Sequence, residues 1–436
     1  MNITALTGED RSEREVSSFF MLFGSSGIRR RYDGEFPRLA IRVGAAVAAG
    51  TDRVLVGMDT RTTSPLIVDA FLSGLLSTGG SADFCGIAPT PAVAYGARTR
   101  GGGCMITASH NPEEFSGLKL FNSDGSSYSR KQQAAIENLI MLPRFGDWKS
   151  QGSLTSTEVL SPHIDVISRV RDVPEGLKMV LDCGNGAGSV ESPGLLRELG
   201  VRVCALNCNP SGWFARPSEP LEENLLYVPE IIKSTGSSGA VVHDGDADRM
   251  MAFDNRGRYI SGDRLLMLFV KYLGAKKVVT TADASMAIDE IAEVRRTPVG
   301  DSYVSEELCS WGDFGGEPSG AWIFPGHSLC PDGPYAAALF CEITGEWDVA
   351  AELDRMPCYP VLRESFHAAD TAGVLTALGA VNPTEGIRLA GERGWCLIRA
   401  SGTEPKVRLT AEGETLEFAK EMLRKGRELV ARGKKA

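Results

Sequence analysis

The chain has 436 residues, 43% hydrophobic and 23% charged, which excludes a single small module and wholesale disorder and predicts three or four domains at about 150 residues each. Lys and Arg number 46 against 56 Asp and Glu, a formal charge of −10; that balance disfavours a sequence-independent grip on nucleic acid but leaves room for a small anionic substrate held by local cations. The longest apolar runs, such as Ala45–Ala49 and Leu265–Val270, fall far short of the roughly 20 residues needed to cross a bilayer, so no membrane partner is expected.

Residues 1–20 show no periodicity and read as an N-terminal extension before Met21. Glu9, Asp10, Glu13 and Glu15 stand where a secretory leader would be basic and then apolar, so a cytoplasmic location is expected. The ten cysteines are scattered without a C-x-x-C, as in a protein with reduced thiols. Cys204 and Cys208 could share a helix face as metal ligands, but a core or loop pair is the better reading.

Pro37 just inside and Gly50 just past an Ala/Val-rich stretch predict a helix over 36–50, followed by a buried strand at Val54–Met58. The alternation continues with helices at Leu66–Leu76 and Ser129–Leu142, the latter opened by a Ser129/Gln132 capping box. Strand Met179–Asp182, helix Pro193–Leu199 and strand Val201–Leu206 follow, then strands at Gly239–His243, Lys277–Ala282 and Trp322–Phe324. Strands separated by helices imply parallel or mixed sheets, with ligands at the strand ends. The end differs: strand Cys396–Ala400, a turn at Ser401–Pro405, strand Lys406–Glu412 and an amphipathic helix from Thr415 to Arg432 make a small α+β unit. Composition shifts divide the chain into domains at 21–150, 151–253, 254–356 and 357–436.

Four loops could carry chemistry. In Asp244-Gly-Asp246-Ala-Asp248-Arg249, three carboxylates at alternate positions can curl inward around a hard divalent ion, and left empty they would repel one another. An EF-hand is excluded, because Arg249 replaces its glycine and Asn255 its final glutamate. The second loop, Thr107-Ala-Ser109-His110-Asn111-Pro112, exposes a hydroxyl that becomes a nucleophile only beside a proton acceptor or a metal; Lys119, His110 and the Asp244 loop are the candidates. In the third, Gly316-Glu317-Pro-Ser319-Gly320, Glu317 and Ser319 suit sugar hydroxyls. The fourth, Arg399-Ala-Ser401-Gly402-Thr403-Glu-Pro405, is a plausible phosphate cradle of a cation, hydroxyls and backbone N–H groups. Singly, each could be an ordinary turn, and the Gly184-Asn-Gly186-Ala-Gly188 run lacks the third glycine of a dinucleotide site.

Together and in this order, the four loops resemble those of the α-D-phosphohexomutase superfamily, as do Phe23–Arg29 and Ala88–Tyr95. The resemblance covers most of the chain and implies three α/β domains with mixed sheets plus a C-terminal α+β domain around a central cleft. It also implies a mechanism: phosphorylated Ser109, with Mg²⁺ held by Asp244, Asp246 and Asp248, passes its phosphoryl group to a hexose phosphate, and the bisphosphate turns over and returns the other phosphate. Lys119 is implied as general acid/base, with Arg29, His110 and Arg249 polarising the transferring group, and Glu317 and Ser319 contacting the sugar. Arg399, Ser401, Gly402 and Thr403 would hold the phosphate that does not react. The partners implied are hexose phosphate and hexose bisphosphate, and the chain is expected to be a monomer or homodimer. Val299-Gly-Asp301-Ser-Tyr303-Val304 is similar to a loop of phosphoglucosamine mutases, which makes Asp301 a substrate-binding candidate and glucosamine phosphate the expected hexose. Pro318 and Ala321 depart from the bacterial glucosamine pattern and keep mannose or glucose phosphate as the alternative. A metal-dependent phosphatase and a non-catalytic sugar-phosphate sensor are the competing functions; the sensor would need neither Ser109 nor the acidic loop.

Overall fold

A computed structural model describes residues 22–24, 26–368, 370–380, 386–400 and 406–433. The extension at 1–20 and the turn carrying Ser401, Gly402 and Thr403 lie outside the described residues.

The first sheet has seven strands, in the order Phe23–Gly24, Gly27–Arg31, Phe115–Phe121, Gly103–Ile106, Arg53–Met58, Ser81–Ile87 and Leu154–Ser156. Arg53–Met58 runs parallel to both neighbours, while Phe115–Phe121 is antiparallel to the strands flanking it. Val54, Leu55, Val56, Cys104, Met105 and Ile106 are all buried; strands covered on both faces need continuous apolar runs, and this sequence supplies them. The predicted helices appear as Phe36–Ala48, Ser64–Ser77 and Arg130–Met141, and both halves of the Ser129/Gln132 capping box form.

The second sheet orders Tyr259–Ile260, Met250–Phe253, Ala240–His243, Lys178–Asp182 and Arg202–Leu206; the third orders Glu293–Thr297, Lys277–Thr281, Phe314–Gly316 and Trp322–Ile323. Both are mixed. The C-terminal sheet, Val361–His367, Lys406–Gly413, Gly394–Ala400 and Ile387–Gly391, is wholly antiparallel, and the helix Leu416–Gly433 packs on it. Three α/β domains and one α+β domain are thus the architecture. The helix Gly333–Glu346 buries ten residues, nine of them in the unbroken run Gly333–Cys341; with its polar side chains confined to the last turn and a half it has no 3.6-residue stripe for the sequence to announce.

Cys204 lies on a strand, and the Cys208 thiol contacts the Leu206 carbonyl at 3.2 Å. The two therefore share no helix face, and all ten thiols are free. Among the described residues, no helix is long and apolar enough to cross a membrane.

Register sets where the loops emerge. Met58 lies opposite Ile106, Val242 opposite Asp182, and Thr280 opposite Gly316. The loops after these parallel strands leave from the carboxyl edge of each sheet, the edge at which open α/β sheets bind ligands. A backbone bridge between Arg249 and Ala321, with the Met250 N–H donating to the Gly320 carbonyl at 2.9 Å, then sews the second sheet to the third. The helix Gly333–Glu346 starts hard against the same loop: a Cβ on Gly333 would stand 2.5 Å from the Ala247 carbonyl oxygen.

Candidate active site

Ser109 follows the strand Gly103–Ile106 in a left-handed conformation, φ 51°, with no exposed surface. A β-carbon disfavours that geometry, so the surroundings must hold it. The Ser109 N–H donates to Thr107 Oγ1 at 2.8 Å, and its carbonyl accepts from Arg61 Nη2 at 2.8 Å and Ser218 Oγ at 3.1 Å. Arg61 also donates to the carbonyls of Asn111, Pro112 and Phe115. Its own orientation is fixed by Asp59 Oδ2 at 3.0 Å, and Asp59 in turn accepts from Ser64 and Thr107 hydroxyls. One buried guanidinium thus gathers four carbonyls of the stretch from Ser109 to Phe115, while the Ser109 hydroxyl is left for another partner. Across the strand, Gly117 has no room for a Cβ, which would lie 2.4 Å from the Thr107 carbonyl oxygen; this close approach brings Lys119 alongside.

The Ser109 Oγ donates to Asp244 Oδ2 at 2.9 Å. Asp244, Asp246 and Asp248, all buried, offer one carboxylate oxygen each within 4.8 Å of one another. Thr90 supports the loop from the first domain, its hydroxyl donating to Asp246 Oδ2 at 2.5 Å and its N–H to the Asp246 carbonyl at 2.9 Å. Lys119 Nζ donates to Asp246 Oδ2 at 2.6 Å and to Asp248 Oδ2.

The electrostatics are lopsided. Burial, then the neighbouring Asp246 and Asp248, push the Asp244 carboxyl well above its ordinary range. Burial and Asp246 raise Asp248 as well. Burial opposes ionisation of Asp246 too, but the Lys119 ammonium overcomes it and holds that carboxyl down. Lys119 itself, despite burial, is kept protonated by Asp246 and Asp248. Two carboxylate oxygens, Asp246 Oδ1 and Asp248 Oδ1, are buried without any partner. Orphaned anionic oxygens converging with Asp244 are the donor set of a hard divalent cation, so the residues fit one.

Cations ring the cluster. Arg249 N–H donates to Asp244 Oδ1 at 3.3 Å, and its guanidinium lies 3.5 Å from Glu219. Burial opposes the Arg249 charge, but Asp244 and Asp248 raise its pKa. Arg29 Nη2 donates to the Ser26 carbonyl at 3.5 Å, while its Nε is buried and unpartnered. His110 is held neutral, first by burial and then by Arg249, Arg29 and Lys119. It can therefore act by hydrogen bonding, not as a cation.

The sugar loop meets this group through the Arg249–Ala321 bridge. Glu317 Oε1 accepts from the Gly300 N–H at 2.8 Å, and Ser319 Oγ donates to Glu317 Oε2 at 3.4 Å. Burial, then Asp301, push Glu317 up to about 8. Asp301, buried at the start of helix Asp301–Leu308, accepts from Ser26 Oγ and so ties the third domain to the first.

Ser109, His110, Lys119, Asp244, Asp246, Asp248, Arg249, Arg29, Asp301 and Glu317 are thereby linked into one neighbourhood, with Ser319 at its edge. Arg399 stands on the strand Gly394–Ala400 opposite Arg408, and among the described residues no hydrogen bond or ion pair joins it to the cluster. Ser401, Gly402 and Thr403 lie outside the described residues. Sequence reasoning missed Arg61, Asp59 and Ser218. The Asp59-Thr-Arg61 run does follow an apolar strand, so the strand-end rule applied to Arg53–Met58 would have found it. Thr90 sits within Ala88–Tyr95, a segment singled out above for another reason.

Fold and site together define a multidomain α/β enzyme that carries a buried hydroxyl against a metal-ready carboxylate triad. Its segments match the four domains of one family: phosphoglucomutase/phosphomannomutase alpha/beta/alpha domain I at residues 21–144, domain II at 159–257, domain III at 261–356, and the C-terminal domain at 362–425. The chain is 41% identical over 431 residues to a "probable phosphoglucosamine mutase" of Methanocella arvoryzae, covering 94% of this chain and 98% of the relative. Its fold matches the crystal structure of a phosphoglucomutase/phosphomannomutase family protein from Burkholderia thailandensis, with TM-score 0.82 and 24% identity over 95% of this chain and 98% of that one. It also matches an N-acetylphosphoglucosamine mutase of Aspergillus fumigatus solved in complex with GlcNAc-6P and magnesium, with TM-score 0.58 and 16% identity over 94% and 96% of the chains. The chain belongs to the phosphoglucomutase/phosphomannomutase family and is a mutase of the phosphohexomutase class. The family is metal-dependent, and the Asp244 loop could hold the ion.

Proposed function

We propose that the chain interconverts glucosamine 6-phosphate and glucosamine 1-phosphate in the cytoplasm through a phosphoserine at Ser109. The observation that carries this reading is the 2.9 Å contact between Ser109 Oγ and Asp244, beside a Lys119 that is already an ammonium. The substrate follows the named relative and the Asp301 loop. In the first half-reaction the phosphoserine O–P bond breaks as a sugar hydroxyl oxygen bonds to phosphorus; that hydroxyl's proton passes to a base, and the freed Ser109 Oγ takes up a proton. In the second, Ser109 Oγ gives up its proton as it bonds to the other phosphorus of the bisphosphate, and an acid reprotonates the freed sugar oxygen. Phosphoryl transfer of this kind is mostly positioning plus charge neutralisation.

Asp244, Asp246 and Asp248 would hold Mg²⁺ with an oxygen on Ser109, and the ion supplies charge neutralisation for a group carrying nearly two negative charges. Lys119 acts as general acid/base toward the sugar hydroxyl, and Arg29, Arg249 and neutral His110 hydrogen-bond the transferring group. Glu317, Ser319 and Asp301 contact the sugar; Arg399, Ser401, Gly402 and Thr403 hold the distal phosphate. On this reading segments 21–150, 151–253, 254–356 and 357–436 carry the phosphoserine, metal, sugar and phosphate loops in turn. The ligands are hexose phosphate and bisphosphate, without nucleic acid or membrane, acting on a monomer or homodimer.

The test is a coupled assay on glucosamine, glucose and mannose 1-phosphates, each primed with its bisphosphate, alongside mass spectrometry of the Ser109 peptide. Preference for glucosamine phosphate with phosphate on Ser109 is expected. Preference for mannose or glucose phosphate would move the substrate to the alternative that Pro318 and Ala321 keep open, and release of free phosphate faster than isomerisation would make the protein a phosphatase.

A further inference from the structure

A second buried cluster lies behind the acidic loop and takes no part in the chemistry above. His163, on the helix Leu160–Ser168, sets its Nε2 2.9 Å from Asp332 Oδ2, and His327 sets its own Nε2 3.0 Å from the same oxygen. These three donor atoms lie within 4.8 Å of one another, and His163 and Asp332 are at most 1% exposed, His327 9%. Asp332 Oδ1 is already engaged by the Tyr335 N–H at 2.8 Å, so only Oδ2 faces the imidazoles. The other nitrogen of His163, Nδ1, bonds to Glu191, a fully buried carboxylate whose second oxygen has no partner. Tyr95 stacks on His327 at 5.4 Å and Tyr335 at 4.5 Å, closing its ring faces to water.

The geometry points to a second metal site, a divalent borderline ion of the Zn²⁺ class bound by His163 Nε2, His327 Nε2 and Asp332 Oδ2. Two imidazole nitrogens and one carboxylate oxygen are ligands for zinc, cobalt or nickel, whereas the all-oxygen Asp244 loop suits a harder ion. Glu191 supplies what a metal-ligating histidine requires at its other nitrogen: an acceptor that fixes the tautomer and aims the lone pair. Charge favours the ion as well. Two buried acidic side chains, Glu191 and Asp332, converge here on two imidazoles. On binding, His163 releases its Nε2 proton to solvent and keeps Nδ1–H on Glu191, while His327 carries its proton on Nδ1; a dication then balances Glu191 and Asp332. The ion would brace the acidic loop, because Asp332 precedes Gly333, whose N–H donates to the Ala247 carbonyl at 3.2 Å.

The test uses the full-length protein, stripped with a chelator and titrated with CoCl₂. One equivalent of cobalt is expected to give intense visible bands of a nitrogen-containing, low-coordinate site, in the wild type and in Asp246→Asn alike. Zinc should displace them and Mg²⁺ should not. His327→Gln and His163→Gln should abolish the bands, and Glu191→Gln should weaken binding by about tenfold or more. A wild-type protein that shows no such bands overturns the proposal whatever the variants do, and reduces the cluster to a hydrogen-bonded pin. Bands of equal intensity and affinity in a folded His327→Gln variant overturn it as well.

Discussion

The first three domains and the fourth are joined in opposite ways. A single apolar core runs from Ile167 in the second domain to Leu353 in the third, through Phe269, Phe314, Trp322 and Phe340. The first domain locks onto that unit with directed contacts around the reacting centre: Thr60 Oγ1 to the Asn185 carbonyl at 2.8 Å, Ser218 to the Ser109 carbonyl, and Arg61 over the Phe214 ring at 5.1 Å. The fourth domain keeps a core of its own, Ala368 to Val430. Among the described residues its direct bonds to the third are few: the Met286 N–H to Glu412 Oε2 at 2.8 Å and the Tyr359 hydroxyl to Glu290. Cores that interdigitate resist relative motion, and a seam of a few polar contacts permits it. The residues proposed for phosphoryl transfer are assembled where the molecule is stiff, and the fourth domain, which carries Arg399, is joined by the seam that permits motion.

Substitutions test that contrast. Ser109→Ala should reduce turnover by at least about 10³-fold, by analogy with other lost nucleophiles, and leave the circular dichroism spectrum unchanged. Wild-type turnover in that variant would remove Ser109 from the reaction. Asp246→Asn should lower kcat by about 10²-fold or more and shift the metal concentration needed for half-maximal rate, with little change in unfolding midpoint. Arg61→Met breaks a buried pair and strands Asp59, so it should cost about 3–5 kcal/mol in denaturant unfolding of the first domain, besides slowing catalysis.

On the swinging side, Glu412→Ala leaves the Met286 and Trp395 donors without their acceptor. It should loosen domain docking by about 1–3 kcal/mol, read as faster proteolysis near Met356–Pro360, with kcat changed only a few-fold. The smallest effect is a pH dependence. Glu317, raised by burial and Asp301 to about 8, keeps its proton in the folded state while the unfolded chain loses it near 4.5. The stability it contributes is full below the unfolded value and fades as pH rises through about 8. The wild-type thermal midpoint should therefore fall more between about pH 5 and 9 than that of Glu317→Gln.

Much of the site was legible because its signals are local. Three carboxylates at alternate positions declare a cation loop within six residues, and the alternation of buried strands and helices fixes the edge from which such loops emerge. Arg61 could be placed at a strand end, but its role could not be read, because it lies in carbonyls about fifty residues away that a strand register had to bring to it. Lys119 was recognisable as a candidate, but its pairing with Asp246 and Asp248 bridges two sheets. The helix Gly333–Glu346 hid for the opposite reason: buried without a break from Gly333 to Cys341, it has no stripe to count.

Ser109 has no surface open to solvent, and its carbonyl, N–H and hydroxyl are all engaged. A protein kinase or phosphatase must enclose its target residue in its own catalytic groove, and a side chain this deep offers nothing to enclose. On the proposed function, loading and unloading of that oxygen would fall to small molecules, so sugar bisphosphates and not signalling proteins would set the charged state of the enzyme.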